Sequence, residues 1–174
     1  MECDFFFRLT FAGNFAEIPA SHERYASDGD DSDTAIAVFI SELCERLSSL
    51  GAVDFQVSGF GLDDWRTDVW MHLAVVMEQF PLFLTSLQAG KNSVLDFYEQ
   101  GLQRILYFVV RDLKITIECR SYSEWDPVFP ALEDDWHRIL QMATALLQDF
   151  IFVVKEKLPF FYEHSLFQNY LRLA

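Results

Sequence analysis

The sequence predicts an α+β fold in which helices pack against a mainly antiparallel five-stranded sheet. Segments with a period of two follow one another closely in the middle of the chain, whereas segments with a period near 3.6 flank them. A chain of 174 residues that is 51% apolar and contains 18 Phe can bury a substantial core. We therefore expect one α+β domain over residues 1–174, with elements in the order βαβαβββαα.

Two strands are predicted in the first third of the chain. Apolar and polar side chains alternate along residues 5–11 and again along residues 53–57, as in strands with one buried face. We expect these two strands to pair with each other. Residues 13–33 lack a sustained period and include Pro, Gly and several acids, which predicts a long, mobile surface loop.

Two helices are predicted before residue 90. Apolar residues fall on one helical stripe over residues 36–50, Asp33 is a candidate N-cap, and Gly51 supplies the stop. Residues 67–89 are mostly apolar and predict a second helix. Pro81 lacks a backbone N–H, so this helix is expected to be kinked or split there.

The rest of the chain predicts a meander followed by helices. Residues 93–100, 102–111 and 114–120 alternate as strands, and their short connections imply antiparallel pairing. A long amphipathic helix begins at Trp136. Pro159 then interrupts the chain and begins a last helix.

Charge is the strongest indication of function. The chain has 27 Asp and Glu against 13 Lys and Arg, a formal net charge of −14. Nucleic acid is disfavoured as a partner, because phosphate binding draws on Lys and Arg that displace counterions. A basic partner is favoured instead. The acids concentrate in residues 27–33 and 124–135.

Compartment and membrane topology follow from composition. The three cysteines form no CxxC pair and are odd in number, which indicates a reduced, cytoplasmic setting with buried or inert thiols. The acidic N-terminus does not resemble an export signal. The most hydrophobic long window, residues 69–87, contains His72, Glu78 and Pro81 and is expected to be core, not a membrane span.

Metal, cofactor and catalytic motifs are not found. The acids of residues 28–33 superficially resemble a calcium loop, but Asp33 falls where that loop needs Gly and Phe39 where it needs Glu. The histidines form no HExxH pair, and GxSxG is absent. Gly59-Phe60-Gly61 lacks a third glycine and predicts a turn. Residues 28–33 remain either a solvated acidic loop or a partner-facing one.

The second acidic segment has two interpretations. Glu124, Trp125 and Asp126 lead into the acids of residues 133–135, and an aromatic anchor beside carboxylates suits recognition of a basic protein surface. Alternatively, Trp125 fills an edge of the core, and the acids of residues 133–135 stabilise a helix N-terminus.

A polar hairpin end is the other candidate site. Tyr98, Glu99 and Arg104 lie at one end of the predicted second hairpin. They could line a small enzyme pocket. In the structural alternative, Tyr98 or Glu99 pairs across strands with Arg104 or Arg120.

In profile, this acidic α+β chain resembles bacterial immunity proteins. The resemblance rests on Asp63-Asp64-Trp65 before a helix, the hairpin Phe97-Tyr98-Glu99-Gln100-Gly101, and Trp125-Asp126-Pro127. It implies an acidic surface that binds and neutralises a cognate, basic toxin domain, but it assigns no residue role. A small cytosolic enzyme and an oligomeric scaffold are the alternatives; the chain is expected to be a monomer or small homo-oligomer.

The candidate partner-binding residues are Asp28, Asp30, Asp31, Asp33, Asp63, Asp64, Trp65, Glu124, Trp125, Asp126, Glu133, Asp134 and Asp135. No catalytic, cofactor-binding or metal-binding residue is predicted.

Overall fold

A computed structural model describes residues 4–25, 33–99 and 101–173. The strands are β1 (Phe6–Phe11), β2 (Val53–Ser58), β3 (Ser93–Phe97), β4 (Arg104–Arg111), β5 (Lys114–Ser121) and β6 (Ala131–Asp135). The α-helices are α1 (Asp33–Leu50), α2 (Ala74–Gln88), α3 (Trp136–Lys157), α4 (Pro159–Glu163) and α5 (Ser165–Leu173). The predicted α+β class is confirmed.

The predicted single five-stranded sheet is wrong, because the described strands form two separate antiparallel sheets. β1 and β2 pair with each other as expected, from Phe6 opposite Ser58 to Phe11 opposite Val53. The other sheet has four strands in the order β3-β4-β5-β6. The meander of β3, β4 and β5 was predicted correctly.

The sixth strand, β6, was missed. Residues 133–135 were interpreted either as part of a partner-binding segment or as acids at a helix start, and Asp and Glu are uncommon in strands. In the fold, Leu132 lies opposite Ile117, and Asp135 opposite Lys114. β6 is an edge strand, where charged side chains are tolerated and discourage pairing with another chain.

Contacts at both edges of the two-stranded sheet explain why it does not join the other one. At the β1 edge, the carbonyl of Phe5 accepts a hydrogen bond from Arg138 of α3 at 3.3 Å. At the β2 edge, the carbonyl of Val57 accepts from the backbone N–H of Trp65 at 2.9 Å, and that of Phe55 from the Thr67 hydroxyl at 2.7 Å. These three carbonyls are therefore already paired, and α3 lies against β1.

Phenylalanine rings join the two sheets and α2 into one core. Phe5 and Phe7 precede or lie in β1, and their rings contact Phe108 of β4 and Phe83 of α2 with centroids 6.0 and 6.3 Å apart. Phe83 and Phe108 are in turn 4.9 Å apart. All four rings are at most 2% exposed. Edge-to-face ring pairs stabilise the core beyond the burial of apolar area, and they favour particular ring orientations.

The helices follow their sequence patterns except where packing overrides a local preference. α1 buries the predicted stripe and ends before Gly51, whose φ of +60° suits glycine. A π-helical turn, Val69–Leu73, precedes α2. α2 then runs through Pro81 as one α-helix, so the expected split there does not occur. Its buried neighbours Phe80 and Phe83 hold the helix on the core at this point.

The C-terminal region has one more helix than predicted. α3 begins at Trp136 as expected, but the single helix predicted after Pro159 is divided into α4 and α5. The division falls at His164, whose backbone is extended, with φ −67° and ψ 141°.

The described part of the predicted loop lies at the surface, as expected, and contacts the core through the half-buried Tyr25. Residues 13–25 contain a 3-10 turn, and the ring of Tyr25 contacts Phe39 and Phe161 at 4.8 and 5.8 Å. Among the described residues, no helix combines the length and apolarity needed to cross a membrane.

Candidate functional site

The most unusual side-chain arrangement is an arginine between two tryptophans. Arg104 begins β4 and faces the core, with only 5% of its surface exposed. Its guanidinium carbon lies 4.5 Å from the ring centre of Trp65 and 3.9 Å from that of Trp125. We call these three side chains the Trp–Arg–Trp stack. A cation over an indole face is attracted by the ring quadrupole, and more strongly when water is excluded.

Two glycines bring the tryptophan-bearing segments together. Gly59 and Gly61 have φ of +129° and +96° in the tight turn after β2, so the predicted turn at Gly59-Phe60-Gly61 is confirmed. A Cβ on Gly61 would lie 2.5 Å from the side chain of Val128. The backbone N–H of Val128 donates to the carbonyl of Phe60 at 3.0 Å. Residues 59–66 and 122–130 are therefore locked against each other.

Hydrogen bonds further fix the turn that carries Trp65. The indole N–H of Trp65 donates to the carbonyl of Gly59 at 3.2 Å. One carboxylate oxygen of Asp64 accepts from the backbone N–H of Arg66 at 2.8 Å, where Arg66 has a φ of +54°. Asp and Asn side chains commonly stabilise such turns in this way.

The electrostatics of the stack are those of a buried cation without a carboxylate. Within the described residues, Nε and Nη1 of Arg104 have no hydrogen-bond partner. Burial lowers the pKa of Arg104, while the neighbouring Cys119 opposes that effect. Burial also raises the pKa of the Cys119 thiol to about 11, and it raises the pKa of Cys44, which is fully buried. Thiols with raised pKa values are poor nucleophiles.

Four predicted acids lie next to the tryptophans of this stack in sequence. The rings of Trp65 and Trp125 are 6.3 Å apart, so the two segments that carry these acids meet. All four are exposed: Asp63, Asp64, Glu124 and Asp126. We call them the two-loop acidic surface. The sequence placed these residues about 60 positions apart, and only the fold unites them.

The two predicted aromatic anchors mainly serve the interior. Trp65 is 3% exposed and has almost no ring area to offer a partner, whereas Trp125 is half-buried. Arg104 was expected either in a hairpin-end pocket or as a cross-strand partner of Tyr98 or Glu99. Its position in the otherwise apolar pattern of β4 was the available sign that it points inward.

The acids of β6 have local structural partners. Asp134 forms an ion pair with Arg138 one helical turn later. Asp135 is the N-cap of α3, and its Oδ1 accepts from the backbone N–H groups of His137 and Arg138 at 2.9 and 3.2 Å. Glu133 is exposed on β6. Asp134 and Asp135 therefore lie at the start of α3, as the helix N-terminus interpretation of residues 133–135 predicts.

The first acidic patch cannot be placed. Asp28, Asp30 and Asp31 lie outside the described residues, and so does the side chain of Asp33, which is the first residue of α1.

The hairpin-end residues do not converge. The Tyr98 hydroxyl donates to a carboxylate oxygen of Glu78, and burial together with Glu78 raises the pKa of Tyr98. The carbonyl of Glu99 closes the turn by accepting from Leu102 at 3.2 Å. Arg104 points into the stack. The predicted cross-strand pairs do not form either, because Arg120 lies over the ring of Tyr107 at 4.7 Å.

Within the described residues, no group of three or more His, Cys, Asp or Glu side chains is arranged to hold a metal ion. Comparison with models of protein families, with curated proteins and with solved structures found no match for this chain.

Proposed function

We propose that this chain is a non-catalytic protein-binding module whose two-loop acidic surface recognises a basic partner. The observation that carries the proposal is that the Trp–Arg–Trp stack joins two segments that together carry four exposed acids. The carboxylate of Asp64 is also held by the backbone N–H of Arg66, and a group that is fixed before binding loses less conformational entropy.

The charge of this surface is not neutralised within the described structure. Arginine pairs there involve Glu23, Glu42 and Asp134, and none includes an acid of the two-loop acidic surface. With a net charge of −14, the chain would attract a basic protein over distances comparable with the Debye length. Such steering raises the association rate and makes it sensitive to salt.

We further propose that the partner is a bacterial toxin domain and that this chain is its cytoplasmic immunity protein. The support is the resemblance in profile described above together with the acidic surface. Neutralisation would follow from occlusion: the acidic surface covers the positively charged substrate-binding face or the active site of the toxin.

The test uses a basic toxin domain encoded next to the gene for this chain. Co-expression should restore the growth of cells that produce the toxin, and the purified proteins should form a stable complex. Replacing Asp63 and Asp64 with Lys should slow association about tenfold near 20 mM salt and much less near 500 mM, because salt screens the field.

A matched control separates local recognition from net charge. Glu45→Lys with Glu156→Lys makes the same change in charge at exposed positions on α1 and α3. This control should slow association less than the Asp63 and Asp64 variant at low salt. Equal slowing by both variants, or slowing independent of salt, would contradict the proposed binding surface. Failure to restore growth would contradict the immunity function.

A further inference from the structure

A groove runs beside the edge of β3 that does not pair with β4. Its volume is about 800 Å³, and its walls come from α1, α2, α5 and β3. Leu82 and Leu173 contribute apolar surface and are 76% and 55% exposed. Cavities of this size are typical of ligand sites, and apolar surface of this kind gains free energy when it is covered.

The edge of β3 presents backbone groups to this groove. β3 is the first strand of its sheet and pairs on one side with β4. At Asp96, the backbone N–H and carbonyl both bind the side-chain amide of Gln79 at 2.9 Å. The polar backbone groups of Asp96 therefore point away from β4. In an antiparallel pair this direction repeats every second residue, so the N–H and carbonyl of Val94 also point outward.

Gln79 shows how this edge accepts a planar amide. Its side chain receives a hydrogen bond from one backbone group of Asp96 and donates to the other, as a peptide group of a neighbouring strand does. Because Gln79 already occupies the groups of Asp96, an added strand would use the same pair of groups on Val94, which lies two residues away and is 45% exposed. Peptides that add to a sheet edge use backbone hydrogen bonds of this kind for affinity and side-chain pockets for specificity.

The acidic side chains near the groove indicate which kind of segment would bind there. In the described lining of the groove, Glu78 is the one charged side chain. Asp96 follows Val94 by two residues on β3, so the two side chains lie on the same face of the strand. Asp96 thereby adds a second carboxylate. Glu78 accepts a hydrogen bond from Tyr98, but among the described residues neither carboxylate has an ion pair. An extended segment with apolar side chains and no cation would fill the groove and leave both negative charges without a counter-charge. A segment that carries Lys or Arg satisfies both features.

We propose that the groove beside β3 binds an extended, Lys- or Arg-containing peptide segment of a partner protein as an added strand. β3 and β6 are opposite edges of the sheet. The inference goes beyond the proposed function and does not depend on it, because the groove shares no residue with the two-loop acidic surface.

The test uses short peptides in which Val and Lys alternate, added to the ¹⁵N-labelled full chain. Amide signals of Val94 and Leu82 should shift on binding. Two N-methylated versions of the peptide are then compared. One carries a methyl group on the backbone nitrogen of every odd-numbered residue, and the other on that of every even-numbered residue. One version should lose binding and the other keep it, because only one set of peptide N–H groups faces the β3 edge. Equal effects of both versions, or no shift in the groove, would overturn the proposal.

Charge and side-chain specificity are tested separately. A peptide with Glu in place of Lys should not bind. Leu82→Gln should weaken binding about tenfold, because apolar burial is lost. Leu113→Gln, which changes an exposed Leu in the turn between β4 and β5, is the matched control and should bind as the original chain does. Equal binding of the Glu peptide would overturn the charge argument.

Self-association is the competing outcome. If the peptide-free chain dimerises in sedimentation experiments and Leu82→Gln abolishes the dimer, the groove is an interface between copies of this chain, and the peptide proposal is overturned. If the original chain and the Leu82→Gln variant both sediment as monomers, the peptide proposal is supported.

Discussion

Arg104 lies between two indole rings and has no carboxylate beside it within the described structure, although acids outnumber bases two to one. Burying a charge without an ion pair is unfavourable, and its unpaired N–H groups add to the loss. The delocalised, weakly hydrated guanidinium reduces that loss because it makes cation–π contacts with both rings at once. The residue thereby joins β4 to two loops that carry the acidic surface.

Arg104→Lys is expected to lower the free energy of unfolding by about 1–2 kcal/mol, because a compact ammonium group is more strongly hydrated and covers less of the two rings than a guanidinium does. Urea denaturation followed by tryptophan fluorescence measures this change and should also report an altered environment of Trp125. The control is Arg120→Lys, at an exposed arginine over one tyrosine ring, with an expected loss below about 0.5 kcal/mol. Equal losses in the two variants would argue against a special role for the stack.

The pH dependence of stability has a contribution from Asp149 on α3. Burial raises the pKa of this carboxyl in the folded chain, so the folded state binds its proton more tightly than the unfolded state does. The ionised carboxylate therefore lowers stability. The penalty is absent below the pKa of the unfolded chain, appears as the pH rises above that value, and is complete above the pKa of the folded chain.

Asp149→Asn should thus raise the unfolding temperature near pH 7, by about 1–2 °C, and have little effect near pH 3. Thermal unfolding at several pH values measures the difference. Glu156→Gln removes the same charge at an exposed position of the same helix and is the control for overall repulsion. A gain in the Asp149 variant that persists undiminished near pH 3 would contradict the assignment to ionisation.

At the scale of secondary-structure elements, β6 and α3 meet at one residue with two roles. Asp135 ends β6 opposite Lys114 and also caps α3 through two backbone N–H groups. The N-cap orders the first turn of α3. Arg138 in that turn contacts Asp134 and the carbonyl of Phe5, which precedes β1. The junction therefore connects the four-stranded sheet to the two-stranded one.

Asp135→Ala should lower the free energy of unfolding by about 1 kcal/mol, the usual loss for an N-cap, whereas Asp135→Asn should retain most of the stability because Asn also caps. Chemical denaturation of both variants gives the comparison. If Asn is as harmful as Ala, the negative charge matters more than the cap.

Elements with strong periodicity were predictable, and those that depend on neighbours were not. Regular alternation identified β1, β2 and the meander of β3, β4 and β5, because a buried face imposes a period of two. The charged strand β6 has no such signal and forms only because β5 offers it an edge. Pro81 was expected to interrupt α2, but buried contacts on the same helix keep it continuous.

At the scale of the whole molecule, repulsion among carboxylates opposes the compact state. The net charge is −14, and few of the described acids are in ion pairs with arginine. We therefore expect the unfolding temperature to rise between about 20 and 200 mM NaCl, since salt screens like charges. KCl should raise the unfolding temperature as much as NaCl does.

At matched ionic strength, a larger rise in the unfolding temperature in CaCl₂ than in MgCl₂ would contradict the exclusion of a calcium loop in residues 28–33.

The sequence alone determined the α+β class, the main helices, the pairing of β1 with β2 and the acidic character, because periodicity and composition are local properties. Only the tertiary structure decided that there are two sheets, because Trp65 and Thr67 bond the outer edge of β2 and α3 lies against β1. It also decided the candidate site. Trp65, Arg104 and Trp125 are far apart in sequence, and their contact depends on how three separate segments pack.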